Sequence, residues 1–289
     1  MKNIMTFDVE DYFHVQAFAD HVDRREWANF PSRVEANTTR ILELLDLANR
    51  SGTFFVLGWV ARKFPALIRS IADAGHEVAC HSLEHRCVFK MSPAEFRDDT
   101  LKAKAAIEDA CGQRIVGYRA PSFSITFDSK WALEILVELG FAYDSSIFPV
   151  RHPNYGMPKV PRFPFAIRTN AGTLVEFPLS TVQFGGLRSP LTGGAYMRIL
   201  PYWYLRWGFG YLNQTEGEPV CIYLHPWELD SSQPRMTGTF TSRLRHYIGL
   251  RQVERKLTHL LRDFDFQSMG AAIDDIQRSL PVIPLAEIQ

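Results

Sequence analysis

Several common signatures are missing from this sequence, and each absence removes a class of function. Basic and acidic residues balance, 32 Lys plus Arg against 32 Asp plus Glu in 289 residues, so no global field draws the chain to nucleic acid, an anionic membrane or a strongly acidic polymer. No apolar run reaches the roughly 18 to 20 residues that a membrane-spanning helix needs. The four cysteines, Cys80, Cys87, Cys111 and Cys221, include no Cys-x-x-Cys pair. A chain of this length folds without disulfides, so reduced thiols are expected. Met1-Lys2-Asn3-Ile4-Met5 runs straight into a strand pattern, with no charged n-region, apolar h-region or small-residue cleavage site, and a cytoplasmic location is the expectation. No internal repeat or low-complexity tract is present.

What remains is the composition of a soluble globular protein, 46% hydrophobic and 22% charged, with enough apolar residues for a sizeable core. Strand-like runs at 3–7, 53–57 and 76–79 alternate with helical periodicity over 33–50 and 65–74, the rhythm of a parallel sheet with right-handed crossovers. Ser92-Pro93-Ala94-Glu95 reads as a capping box opening a helix that runs to about Ala110. A strand over 114–118, a helix over 129–139 and a strand over 141–143 continue the pattern. Residues 150–200 break into Pro- and Gly-rich pieces with short β runs at 163–167 and 174–177, expected as insertion loops over the catalytic face. After an aromatic helix, 202–211, the last clear strand is 220–224. Residues 1–232 therefore read as one catalytic domain, and 233–289 as a helical extension packed on it. Its single amphipathic helix over 241–264 has two ways to bury its apolar stripe, against the barrel bottom or against a second subunit of a homo-oligomer.

Five strand ends carry chemistry: Asp8/Glu10/Asp11, His81/His85, Arg119, Asp144 and His225. In a parallel α/β arrangement these ends share one face. Two histidines four apart and a carboxylate leave an open position on a zinc-like cation, as required where water must be bound and activated. A second carboxylate near that water accepts its proton, and a cation beside it keeps it ionised; Asp8 and Arg119 fit these roles. A histidine protonates a departing amine near neutral pH, and His225 is placed for that. The sum is hydrolysis of an amide or ester. Asp144 orients Arg119 or His225, or caps a turn.

These segments resemble a known family. Thr6-Phe7-Asp8, His81-Ser82-Leu83-Glu84-His85, Arg119-Ala120-Pro121-Ser122-Phe123, Asp144-Ser145-Ser146 and Leu224-His225 are similar to the five ordered motifs of the polysaccharide deacetylases with the NodB-type domain, carbohydrate esterase family 4. The resemblance spans residues 4 to about 230. Asp8-Val9-Glu10-Asp11-Tyr12-Phe13-His14 and Leu224-His225-Pro226-Trp227-Glu228 are similar to the branch found beside exopolysaccharide and PEP-CTERM (exosortase) loci. The resemblance implies a distorted (β/α) barrel of about seven parallel strands with fewer than eight complete units. It also implies Asp8 as base, His81 and His85 as metal ligands, Arg119 as tether of the base and His225 as acid. One departure stands out. The family's commonest first motif places a second aspartate, on the metal, where Val9 stands here. Strand alternation puts Glu10 on the side of Asp8 and makes it the expected third ligand, with Asp11 as the second candidate.

The expected activity is removal of N-acetyl groups from amino sugars of an exopolysaccharide or its precursor, with a divalent metal as cofactor, zinc first and cobalt or manganese as alternatives. Pro121, Phe123, Trp227, Tyr196 and Arg198 are the candidate sugar contacts, while His14 is expected to stack among Tyr12, Phe13 and Phe18 rather than line the cleft. Two other readings compete: a hydrolase of small cyclic amides or ureides, marked by a narrow closed pocket, and a non-catalytic carbohydrate-binding protein of polysaccharide assembly.

Overall fold

The computed structural model describes residues 1–152, 155–276 and 280–288. The first half alternates as the periodicity predicts: β1 (Lys2–Val9), α1 (Val34–Ala48), β2 (Thr53–Val56), α2 (Gly58–Lys63), α3 (Pro65–Asp73), β3 (Glu77–Cys80), α4 (Pro93–Cys111), β4 (Gly117–Tyr118), α5 (Trp131–Glu138) and β5 (Tyr143–Asp144). The start of α4 is the expected capping box, with Ser92 and Glu95 bonded reciprocally and Pro93 at the first helical position. The second half holds β6 (Phe165–Arg168), β7 (Thr173–Glu176), the hairpin β8 (Thr181–Phe184) and β9 (Leu187–Pro190), α6 (Gly194–Ile199), α7 (Tyr202–Tyr211), β10 (Cys221–Leu224), α8 (Phe240–Tyr247), α9 (Val253–Asp263), β11 (Asp265–Gln267), α10 (Met269–Ile276) and β12 (Val282–Pro284).

The main sheet runs β10-β1-β2-β3-β4-β5-β7-β6-β12, with β11 added to the start of β1. From β10 to β7 all seven strands are parallel, and β6 turns back antiparallel to β7. The gap between β7 and β10 is bridged at Ser180, whose hydroxyl accepts the Cys221 N–H at 2.8 Å. The result is a distorted barrel. Alternate residues divide its walls: Met5, Phe7, Val9, Phe54, Val56, Val78 and Cys80 pack outward under the helices, whereas Ile4, Phe55, Ala79, Tyr143, Val175 and Cys221 fill the interior. Gly117 is an interior position that cannot carry a side chain, because a Cβ there would lie 2.1 Å from the Tyr143 ring.

Two expectations are corrected. The β runs expected at 163–167 and 174–177 form as β6 and β7, but they join the main sheet rather than standing in loops over the face. The tail helix is two helices, broken where Gly249 takes a φ of 75° and a Cβ would meet the Arg198 carbonyl oxygen at 2.5 Å. The break turns α8 over the barrel mouth, while α9 buries Val253, Leu257, Leu260 and Leu261 within its own chain.

Candidate active site

Interior alternation does not stop where the strands do. Continuing it past the strand ends gives residues 8 and 10 from β1, 81 from β3, 119 from β4, 145 from β5 and 223 and 225 from β10, all turned toward the barrel axis at its C-terminal mouth. These positions carry Asp8, Glu10, His81, Arg119, Ser145, Tyr223 and His225.

Arg119 is fully buried, and every arm of its guanidinium is engaged. Nη1 donates to Asp8 Oδ1 and to Thr6 Oγ1, each at 2.8 Å; Nη2 donates to Ser145 Oγ at 2.8 Å; and Nε donates to the Ser145 carbonyl at 3.1 Å. The Phe55 ring lies 4.1 Å beneath it. A buried cation so fixed holds Asp8 in one orientation and stabilises its charge.

Asp8 Oδ2, the oxygen that Arg119 leaves, faces the imidazoles, 3.9 Å from His81 Nε2 and 4.0 Å from His225 Nε2. His81 donates from Nδ1 to the Arg119 carbonyl at 2.8 Å, so its Nε2 carries the lone pair inward. Burial, opposed by Asp8, pulls its pKa down to about 4, and the ring is neutral, as a ligand must be. His85 stands on a loop in which Ser82 and His85 itself adopt left-handed φ values of 66° and 52°. That loop is pinned by Asp99 Oδ2, which accepts the Leu83 N–H at 2.9 Å, and by Arg24, which donates to the Glu84 carbonyl at 2.9 Å.

Glu10 completes a triad with His81 and His85, one ligand atom from each lying within 4.8 Å of the others. Its Oε2 is 2.9 Å from His85 Nε2 yet accepts no hydrogen bond of acceptable direction. A buried carboxylate oxygen left in that state suits a shared cation. Burial opposes its ionisation, but the three imidazoles, His85 foremost, prevail and hold it well below the usual carboxylate range. Two neutral-capable imidazoles and a carboxylate fit a divalent metal with open positions.

Opposite the triad, His225 Nε2 lies 3.6 Å from Glu10 Oε1. Burial would strip its proton, but Glu228, Glu10 and Asp8 outweigh that and raise its pKa to about 9. Glu228, which the sequence reading did not single out, is the main partner, with Oε2 3.3 Å from His225 Nδ1 and Oε1 2.8 Å from Arg198 Nε. Arg198, expected as a sugar contact, therefore lines the cavity while also anchoring the acid. Lys256 fixes it in turn, its ammonium donating to the carbonyls of Met197, Arg198 and Leu200. Trp227 stacks on His225 at 5.1 Å and donates its indole N–H to Glu10 Oε1 at 3.2 Å. The Glu three residues after His225 was the available signal, a spacing that brings side chains together in one helical turn.

These groups open into a cavity of about 990 Å³, walled by Phe123, Tyr155, Tyr223 and Trp227 and, on one side, by Thr241, Ser242, Arg245 and His246 of α8. Four expected site residues lie elsewhere. Asp11 has the outward alternation, and its Oδ2 accepts from Ser32 Oγ and from the Arg33 and Val34 N–H groups at 2.6, 2.9 and 3.2 Å, capping α1 rather than meeting the metal site. Asp144 alternates outward too and bonds Ser146, leaving Arg119 to its neighbour Ser145. Pro121 is buried beneath the wall that Ser122 and Phe123 form, and Tyr196 stands outside the cavity. His14 meets the Phe13 ring edge-on, one of the aromatic contacts expected of it, and meets Trp27 and Trp59, which were not expected, in the same way.

Comparison with known proteins matches this geometry. Residues 20–143 match the polysaccharide deacetylase family, and residues 145–274 match a domain of unknown function, DUF3473. The chain is 33% identical over 99 residues to a chitooligosaccharide deacetylase of Bradyrhizobium sp. (strain ANU 289), covering 34% of this chain and 43% of that protein. It spans less than half the length of the first curated relatives it matches. In fold it is similar to a protein assigned as a polysaccharide deacetylase from Mycobacterium smegmatis (TM-score 0.61, 24% identity, 96% and 91% of the two chains). It is also similar to an allantoinase (TM-score 0.64, 14% identity, 97% and 90%). At these identities the structural likeness is one of fold. The polysaccharide deacetylase match therefore covers residues 20–143, the part of the chain that carries the His81/His85 and Arg119 motifs, and the structural likeness extends that fold over the remainder.

Proposed function

We propose that this chain is a metal-dependent deacetylase that hydrolyses the acetamido group of an N-acetylated sugar polymer, releasing acetate and a free amine. The observation that carries the reading is the convergence in one cavity of an Arg119-held Asp8, a Glu10/His81/His85 triad and a protonated His225. When bound, a divalent cation on the triad, zinc in the first instance, supplies the positive charge that polarises the acetyl carbonyl and acidifies water. Asp8 Oδ2 takes the proton of the attacking water as its oxygen bonds to the acetyl carbon. The C–N bond then breaks with its electron pair going to the sugar nitrogen, and His225 delivers the proton that nitrogen needs. Arg119 and Glu228 keep base and acid oriented throughout and favour their charged forms before the proton transfers. The similarity of the first and last motifs to the exopolysaccharide-associated branch makes an exopolysaccharide, or its precursor inside the cell, the proposed polymer. A cavity of about 990 Å³ is at the upper end of the range for small-ligand sites, which favours a sugar chain over a small cyclic amide.

The test is acetate release from N-acetylglucosamine oligomers by the full chain supplied with zinc, cobalt or manganese. Release that Asp8→Asn abolishes with the fold intact supports the reading. Binding of the oligomers without release under any of the three metals makes the protein a non-catalytic binder.

A further inference from the structure

A second concave surface lies outside the catalytic cavity and shares no residue with it. It is a groove of about 800 Å³ between α7 and the end of α9. Trp203, on its wall, is 70% exposed, so at least one indole face is open to solvent, and Trp207 is 39% exposed, held by stacking on Tyr211 at 5.6 Å. Gly210 leaves the floor open, with no atom within 4 Å of where a Cβ would stand. Beside the rings is a polar cluster at the surface: Asp263 accepts from the Tyr202 hydroxyl at 2.8 Å and pairs with Arg206 at 3.2 Å and Arg262 at 2.8 Å, the two guanidinium side chains being 67% and 66% exposed.

We propose that this groove is a second saccharide-binding site, which holds a neighbouring stretch of the polymer whose acetamido groups the cavity hydrolyses; the substrate class rests on the function proposed above. A pyranose has an apolar face of axial C–H groups and a rim of vicinal hydroxyls. A rigid indole matches the face, and the guanidinium groups of Arg206 and Arg262, held beside it by Asp263, donate to the oxygens of the rim. Binding at a distance from the cavity raises the local concentration of a long substrate without touching the reacting group.

Two measurements on the full chain decide this. Calorimetric titration of the Asp8→Asn protein with N-acetylglucosamine hexamer should show two binding events, and Trp203→Ala should remove one of them. With Asp8 intact, Trp203→Ala should leave hydrolysis of the N-acetylglucosamine dimer unchanged and raise KM on the long polymer roughly tenfold, the scale of one lost aromatic contact. Gly210→Phe, which fills the floor, should do the same and serves if the tryptophan variant is unstable. Unchanged titration and polymer KM in both variants overturn the proposal. So does loss of binding to phosphatidylglycerol vesicles in place of sugar binding, or a dimer that becomes a monomer. If no sugar substrate is hydrolysed at all, the catalytic reading fails while the titration still decides this site.

Discussion

Glu10 and Glu176 are both buried glutamates at strand ends of the same barrel mouth, and they meet opposite fates. Glu10 follows the interior alternation of β1 and is ringed by His85, His225 and His81, which hold it ionised against burial. Glu176 follows the outward alternation of β7. Burial and the adjacent carboxyl of Asp144 push its pKa well above the ordinary value, while Asp144 itself rises to about 6 through burial. The first carboxylate is available as a ligand. The second pair holds a proton and serves the wall. Burial penalises both alike; what differs is whether cations or another acid stand on the same side of the strand.

The comparison can be broken from either side. Asp8→Asn, on the interior side, should lower kcat by about 10²–10⁴ and also lower stability, because it leaves the buried Arg119 guanidinium without its counter-charge; a loss of kcat below tenfold would remove Asp8 as base. Arg119→Met strands a buried carboxylate and should destabilise the fold by about 3–5 kcal/mol in denaturant titration. Adding Asp8→Asn should recover part of that, and strict additivity would contradict the pairing. Glu228→Gln should lower the pKa of His225. In the metal-free wild type, NMR should find the ring titrating near 9, above the ordinary 6.5. Its charge therefore stabilises the fold fully below pH 6.5, and that contribution is lost as pH rises through about 9. A ring that titrates at the same pH with and without Glu228 would contradict the assignment. On the outward side Asp144→Asn should do least. A carboxyl raised to about 6 costs stability as pH climbs from 3.8 through 6, so the amide should flatten that part of the pH profile and leave kcat unchanged. A large fall in kcat would restore Asp144 to the site.

Much of the site was legible because alternation in a strand is a strict period of two. Counting from Asp8 to Glu10 was enough to prefer Glu10 over Asp11, and the chain of hydrogen bonds from Asp11 to the start of α1 shows what the other parity does. The same count applied to Tyr143 and Asp144 would have moved attention from Asp144 to Ser145. Glu228 and Arg198 were harder to see together, since their pairing depends on where α6 is set by Lys256 and on the turn at Gly249, contacts far apart in sequence. The break between α8 and α9 escaped the helical periodicity because a single glycine with a left-handed φ leaves the apolar pattern intact on both sides.

The proposed function requires one divalent ion among Glu10, His81 and His85, beside Asp8. An anomalous-scattering map from a zinc-soaked crystal tests it most directly. The account predicts a single strong peak bonded to one oxygen of Glu10 and one nitrogen from each of His81 and His85, with Asp8 near it and bound to Arg119. A peak on Asp11 or Asp144, or no peak in the cavity at millimolar zinc, would contradict it.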